Sequence, residues 1–457
     1  MGIIAKKITQ KCQFFSNTFG IKFINSDESY INDKNSSISS NKNELLLKNE
    51  VYQRNAYRPE TRHEKYSKYY ISQFIEMNLL SEEQKRNTVK ENKNNKLSLN
   101  DFEILKLIGA GSFGKVFLVK EIKNNSIPKL FAMKILEKDK IIEFDQVQNT
   151  LTEREILEKL SHPFISKLCY AFQDIQKLYL LTDFMPGGDL MHKLTSYGKL
   201  NDYLAKIYAC EIFLALEFLH NNNIIFRDLK PENILIDKDG HIKLTDFGLS
   251  KKFTNSDCII NKKHKITFSI CGTAQYIAPE VYEGMGYAQE IDWWSYGIVL
   301  YEMLTGKFPF KQDQKSKKII PKVNLDGSKI KLTPEAKDLI SKLLDEKVNQ
   351  RLFDPKIIKQ HKFFEGINWE DVYNKKYDIN NTKTNNNSSE ISENNNNKKE
   401  SETSKILEKN FDNKFLNDQT EVSRINEQKE RLFIHYGESS SSSFLNFSFC
   451  ENEEIIA

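Results

Sequence analysis

The chain has 457 residues with a formal net charge of +4, 39% of them hydrophobic, and a mean hydropathy of −0.57. So even a charge balance gives no grip on nucleic acid, and none is expected as a partner. So polar an average leaves part of the chain outside any core, yet the length holds a domain of about 260 residues plus substantial flanks. The six cysteines, Cys12, Cys169, Cys210, Cys258, Cys271 and Cys450, show no Cys-x-x-Cys or paired Cys/His spacing. They are read as reduced thiols of a cytoplasmic or nuclear protein, with no zinc site and no disulfide framework. No apolar run approaches the eighteen or so residues that a membrane span needs.

Met1-Gly2-Ile3-Ile4-Ala5-Lys6-Lys7 offers a glycine for N-myristoylation beside basic residues, with Lys6 standing where that motif wants Ser or Thr. Membrane contact is expected only if Gly2 is acylated. Residues 25–50 and 82–95 are dominated by Asn, Ser, Asp, Lys and Glu, so residues 1–101 are expected to form a largely disordered extension. Inside it, Tyr57 to Leu80 mixes tyrosines, Phe74, Ile75, Leu79 and Leu80 with basic residues. A docking helix and a weakly ordered amphipathic segment both fit that stretch.

Phe102 to Ile108 alternates as a strand should and runs into Gly109-Ala110-Gly111-Ser112-Phe113-Gly114. Glycines at 109, 111 and 114 present no Cβ, which lets backbone N–H groups approach phosphates. A strand, Val116 to Val119, follows instead of a helix, and this argues against a dinucleotide-binding turn. Lys134, in Phe131-Ala132-Met133-Lys134-Ile135, reads as a strand lysine that reaches nucleotide phosphates and needs an orienting carboxylate. Glu153 and Glu155, in the helical stretch Val147 to Leu160, compete for that role. Glu153 is favoured, since its i,i+4 neighbour Leu157 belongs to the inward face. Leu178 to Leu190 reads as a buried strand leaving into a glycine-broken segment, with Phe172, Tyr179 and Phe184 as core. Between Tyr203 and Asn221, Ile207, Cys210, Leu214, Leu216, Phe218 and Leu219 recur at the spacing of a buried helix.

Ile224 to Leu235 packs an acid, a base and an amide between apolar runs. Asp228 can accept the proton of a hydroxyl, Lys230 can sit on a transferring phosphoryl group, and Asn233 can hold a metal ion. Asp246, thirteen residues past Asn233, opens Asp246-Phe247-Gly248 at the end of an apolar strand. Glycine loop, strand lysine, Arg-Asp-Leu-Lys-x-x-Asn and Asp-Phe-Gly, in that order, resemble the eukaryotic protein kinases.

The resemblance covers about Phe102 to Tyr373 and implies an α+β, bilobal fold, with a small β-rich N-lobe and a larger helical C-lobe. ATP and Mg²⁺ come with it as cofactors. Nucleotide contacts are implied for Ile108, Gly109, Gly111, Ser112, Phe113, Gly114, Val116, Ala132 and Lys134. Backbone groups of Asp183 and Met185 would bond the adenine, Asp189 the ribose, and Thr182 would stand beside the adenine pocket. Asp246 and Asn233 are the implied metal ligands. Phe226 stands where the family usually has His or Tyr, and packing with Phe247, Leu157 and Leu168 is all that position is expected to do. Asp292 would brace the catalytic-loop backbone, and Arg351 would pair with Glu280.

Thr267-Phe268-Ser269-Ile270-Cys271-Gly272-Thr273 is similar to the activation loop of the AGC group of kinases, in which Ser269 is the implied phosphoacceptor and Arg227 its partner. Thr273 would bond near Asp228 and marks a Ser/Thr kinase, while Ala274-Gln275 departs from the usual Glu at the second position. Asp189, Glu232 and Glu302 match positions at which relatives grip basic residues upstream of the phosphoacceptor, and Thr273 is counted with them as substrate-binding. The chain is thus divided into an extension 1–101, a kinase domain 102–364 and an AGC-type C-terminal tail 365–457. Within the tail, an Asn-rich insert 380–404 is too polar to fold alone. Asn410 to Phe415 resembles the segment that wraps the nucleotide cleft, and 444–449 the phosphorylatable hydrophobic motif, with Ser448 as acceptor and a groove beside the Glu153 helix as its seat. Thr420 and Ser423 lack the Pro of the usual middle site.

Order and spelling of these tail motifs look closest to the ribosomal-protein kinase and protein kinase B relatives. Expected partners are protein substrates with basic residues and an upstream kinase that docks on the hydrophobic motif. The alternatives are a kinase-fold scaffold without catalysis, which intact Lys134, Glu153, Asp228, Asn233 and Asp246 argue against, and an N-terminal anchor with the kinase as cargo.

Overall fold

A computed structural model describes residues 97–111, 114–122, 129–253, 266–312, 319–320, 331–379, 396–432, 444 and 447–450. The expectations for Gly2, for the arm through residue 96, for Ser112 and Phe113, and for 254–265 lie outside the described residues. Five antiparallel strands form the small lobe: β1 (Phe102–Ala110), β2 (Gly114–Glu121), β3 (Leu130–Glu137), β4 (Leu168–Gln173) and β5 (Lys177–Asp183). Their order is β1-β2-β3-β5-β4, with one further strand beside β4. Alternation sets the faces: in β3, Phe131, Met133 and Ile135 are buried, while Ala132 and Lys134 open to the other side. Gly114 is demanded by this sheet as well as by any ligand, because a Cβ there would meet the Ile135 carbonyl oxygen at 2.2 Å.

Helix α1 (Lys138–Glu143) leads to α2 (Val147–Lys159), whose buried face is Thr150, Glu153, Ile156 and Leu157. The large lobe is built on α3 (Leu190–Tyr197), α4 (Asp202–Asn221), α5 (Pro279–Tyr282) and α6 (Glu290–Thr305). Asn201 caps α4 by accepting the Leu204 N–H at 2.8 Å, and α6 is buried along almost its whole length. Two short ribbons, β6 (Ile224–Ile225) with β9 (Lys251–Lys252) and β7 (Ile234–Ile236) with β8 (Ile242–Leu244), hold the loop between them. A hairpin of β10 (Lys311–Gln312) and β11 (Ile319–Ile320) follows. Helices α7 (Pro334–Leu343), α8 (Pro355–Lys359) and α9 (Trp369–Tyr373) complete this lobe. No helix among the described residues is long and apolar enough to cross a membrane.

The tail departs from expectation in two places. Helix α10 (Asn396–Asn410) begins inside the Asn-rich insert expected not to fold alone. Its outlet is tertiary: Leu407 is 2% exposed, packed with Leu118 and Leu416 of α11 (Asn413–Leu416). A second helix, α12 (Gln419–Leu432), spans the segment without a Pro-directed site and seats Val422 and Ile425 on the small lobe. The hydrophobic motif ends as β12 (Phe449–Cys450), pairing Phe449 with Ala171 and Cys450 with Tyr170 on the free edge of β4.

Candidate active site

Ribbons β6/β9 and β7/β8 hold the polar loop 226–233 on the large lobe, and the buried Asp292 carboxylate stiffens it. That carboxylate accepts the N–H groups of Phe226 and Arg227 at 2.9 Å each and bonds His220 Nε2 at 2.8 Å. The Asp228 carboxylate is held by four contacts. Oδ1 accepts from the Thr273 N–H at 3.0 Å and its hydroxyl at 2.8 Å. Oδ2 accepts from Asn233 Nδ2 at 3.0 Å and pairs with Lys230 Nζ at 2.9 Å. Lys230 also reaches Thr273 Oγ1 at 2.7 Å. An incoming hydroxyl can take one of these positions on a carboxylate already aimed and 6% exposed.

Across the cleft, Lys134 Nζ bonds Glu153 Oε1 at 2.7 Å and Asp246 Oδ1 at 2.9 Å. Burial alone would pull the ammonium down, but the Asp246 and Glu153 carboxylates outweigh it and hold Lys134 above the ordinary lysine value. Asp246 is lowered, chiefly by the charge of Lys134, whereas burial raises Glu153. Glu155 points elsewhere, to Lys252 at 2.8 Å and Lys159 at 3.1 Å. The two halves are linked, since the Thr245 N–H donates to the Asn233 carbonyl at 3.0 Å. Arg227 and Asp246 stand at φ of 68° and 60°, left-handed conformations that cost roughly 1–3 kcal/mol each and persist where the surroundings fix them. Phe226 and Phe247 are fully buried and meet edge to face at 5.1 Å.

Residues 102–364 match the protein kinase domain model. The chain belongs to the protein kinase family. Its kinase domain is 42% identical over 285 residues to the RAC family serine/threonine-protein kinase homolog of Dictyostelium discoideum, 62% of each chain. Over 283 residues it is 46% identical to Protein kinase 2 of that organism, covering 61% of this chain and 57% of that one. Against human Ribosomal protein S6 kinase alpha-3 the identity is 46% over 278 residues, 60% of this chain and 36% of that one. The chain thus spans less than two thirds of the length of these relatives. They are serine/threonine kinases of the AGC type, and the domain is of that kind.

A Cβ at Gly109 would touch Val116 at 3.7 Å and one at Gly111 the Gly114 carbonyl oxygen at 3.9 Å, ordinary contacts in both cases, and the Gly111 N–H bonds the Gly114 carbonyl at 2.9 Å. Ile108, Val116, Ala132, Thr182 and Asp183 are half-buried and Met185 is buried. Phe184, expected as core, is half-buried instead and stacks on the tail's Phe411 at 5.7 Å. Asn410 fastens this strap by donating from Nδ2 to the Pro186 carbonyl at 2.8 Å. Asp189 spends its carboxylate on capping α3 through the His192 N–H at 2.7 Å. Glu232 is exposed, while Glu302 is 8% exposed and bonded to the Tyr276 hydroxyl at 2.9 Å. Burial, opposed by that bond and reinforced by Glu232, pushes the Glu302 carboxyl up to about 7.

Ser269 Oγ accepts from Arg227 Nη1 at 2.8 Å, and Arg351 pairs bidentately with Glu280. Phe444 and Phe447 are fully buried, in the cluster that includes Ile141, Ile156 and Leu157, and Ser448 is exposed beside them. Sequence reasoning passed over three partners. Tyr287 donates to the Ser269 carbonyl at 2.5 Å; Lys138, 2% exposed, lies 5.6 Å from the Phe444 ring; and Lys115 pairs with Glu421 at 2.7 Å. For the last, the i,i+3 pair Val422 and Ile425 was the available signal.

Among the described residues no cluster of three or more His, Cys, Asp or Glu could hold a metal ion. Asp246, with its side chain 50% exposed to the cleft, and Asn233, whose Nδ2 is spent on Asp228, would offer two oxygen ligands. That number suits Mg²⁺ arriving with nucleotide phosphates and water.

Proposed function

We propose that the chain is an ATP-dependent protein serine/threonine kinase that modifies hydroxyls near basic residues and is controlled by phosphate on Ser269 and Ser448. The observation that carries this reading is the convergence of Lys134–Glu153–Asp246 and Asp228–Lys230–Asn233–Thr273 on one cleft. Lys134 draws the nucleotide phosphates, and the glycines of the turn, which carry no Cβ, let backbone N–H groups meet them. Asp228 orients the substrate hydroxyl and takes its proton as the γ-phosphoryl transfers, while Lys230 offsets charge on that group. Mg²⁺ held by Asp246 and Asn233 would neutralise phosphate charge.

Arg227 is already bonded to Ser269, so a phosphate there gains a charge-assisted partner without a new fold. Asp189, Glu232 and Glu302 are offered as the acids that grip basic substrate residues. The hydrophobic motif is offered as the dock for an upstream kinase, the cytoplasm or the nucleus is offered as the location on the reading of the cysteines as reduced thiols, and membrane contact requires acylation of Gly2. Arginine-containing peptide libraries with Mg-ATP test the reading, using wild type, Ser269→Ala and Ser448→Ala. An upstream-Arg preference and activity lowered in both variants are expected. A wild type silent after treatment with an activating kinase would leave the scaffold as the better account.

A further inference from the structure

The ribbon of β7 and β8 carries the two implied metal ligands at its open end. Asn233 stands immediately before Ile234 and Asp246 follows Leu244 and Thr245, while Ile234 and Leu244 face each other across the ribbon. Leu244 is one fixed point, since its N–H donates to the Phe164 carbonyl and its own carbonyl accepts the Ser166 N–H, both at 2.9 Å. A strip held at one point can still tilt, and the second hold lies at the ribbon's other end. There Glu211 Oε2 accepts the Ile242 N–H at 2.9 Å, and Oε1 bonds His241 Nδ1 at 2.5 Å. Tyr208, three residues earlier and so on the same face of α4, donates its hydroxyl to the Gly240 carbonyl at 2.8 Å. The turn they grip is closed on itself, because Asp237 Oδ1 accepts the N–H groups of Asp239 and His241 at 3.0 and 2.9 Å. Tyr208, Glu211 and His241 are all buried, and the chemistry of phosphoryl transfer calls on none of them.

We infer that Glu211, with Tyr208 beside it, is a positioning residue for the nucleotide-bound metal: it fixes the tilt of the β7–β8 ribbon, and thereby where Asn233 and Asp246 stand relative to phosphates drawn by Lys134. This rests on the reading of Asn233 and Asp246 as Mg²⁺ ligands. Mg²⁺ demands near-ideal octahedral geometry, so a small displacement of its ligands weakens it. Lys134 lies on β3 of the small lobe, so metal-free nucleotide does not depend on the ribbon. The clamp works through hydrogen bonds: a glutamine can still accept the Ile242 N–H and reach His241, whereas a methionine of similar length can do neither. Loss of an outer partner of metal ligands costs about 10–100-fold in affinity, and Glu211 stands a step further out, which sets the expected effect at about tenfold.

The test uses the full chain as wild type, Glu211→Met, Glu211→Gln and Tyr208→Phe. ADP affinity is measured by calorimetry with Mg²⁺ and again in EDTA, Tm by thermal unfolding, and kcat and peptide KM by initial rates. Glu211→Met is expected to weaken ADP by about tenfold when Mg²⁺ is present, to leave ADP in EDTA and peptide KM unchanged, and to lower kcat. Glu211→Gln should stay within about twofold of wild type in every constant. Tyr208→Phe loses a single neutral hydrogen bond and should weaken ADP with Mg²⁺ by about two- to fivefold, which decides the matter if Glu211→Met does not fold. A purely structural part for Glu211 would lower Tm and leave the response to Mg²⁺ at its wild-type value. That result, equal loss of ADP with and without Mg²⁺, a Glu211→Gln as impaired as Glu211→Met, or an unchanged Mg²⁺ response in Tyr208→Phe would each overturn the inference. A wild type whose ADP affinity ignores Mg²⁺ would instead overturn the reading of Asn233 and Asp246 as metal ligands, and one that binds no ADP the reading of the cleft.

Discussion

Glu302 titrates where the enzyme is expected to work, and its burial fixes the sign of the effect. The folded carboxyl stands at about 7 against an ordinary value of 4.5, so the unfolded chain gives up its proton first. Below 4.5 both states hold the proton and the contribution is whole. Between there and about 7 it declines as pH rises, and above about 7 it is lost. The full span corresponds to about 3 kcal/mol, falling by at most about 1.4 kcal/mol per pH unit. Glu302→Gln keeps an acceptor for the Tyr276 hydroxyl and removes the charge. Urea unfolding at several pH values should show the variant gaining on wild type steadily from pH 5 to pH 8, with little further gain above. If Glu302 also grips a basic substrate residue, wild type should prefer upstream Arg more strongly at pH 8 than at pH 6, and the variant should not. Parallel stability curves for the two proteins would refute the buried, raised carboxyl.

Arg351 and Glu280 form a fully buried bidentate pair, with side chains 0% and 2% exposed. Arg351→Met should cost about 3–5 kcal/mol by stranding the carboxylate, or roughly 10 °C in Tm; Arg351→Met with Glu280→Gln should cost clearly less. Phe447, fully buried, gives a third test: Phe447→Ala loses about 3–5 kcal/mol of packing. Hydrogen exchange should then show β12 leaving β4, with faster exchange in α1 and α2 as well.

The catalytic loop, Lys134 and Asp246 were legible because short polar sets between apolar runs have few structural explanations. Choosing Glu153 over Glu155 needed only helix facing, and the second carboxylate does turn outward to Lys252. The tail was harder to read. Asn396 to Ser404 carries little that could bury, and α10 is anchored by Leu407 further on, a tertiary contact that local composition does not announce. Gly114 shows a different limit: its motif suggests ligand approach, while the Ile135 carbonyl demands the same glycine for strand packing. Phe184 looked like core because nothing in the local sequence tells that its partner is Phe411, more than two hundred residues away.

The central claim is that Asp228, held by Thr273, Asn233 and Lys230, takes the proton from a protein hydroxyl during transfer from ATP. The measurement that meets it most directly is labelled-phosphate transfer from Mg-ATP to an arginine-containing peptide by the full chain, wild type against Asp228→Asn, with Mg-ADP affinity measured in parallel. The account predicts a fall in transfer of about 10²–10⁴-fold with nucleotide affinity preserved. Transfer at the wild-type rate in Asp228→Asn, with nucleotide still bound, would contradict it.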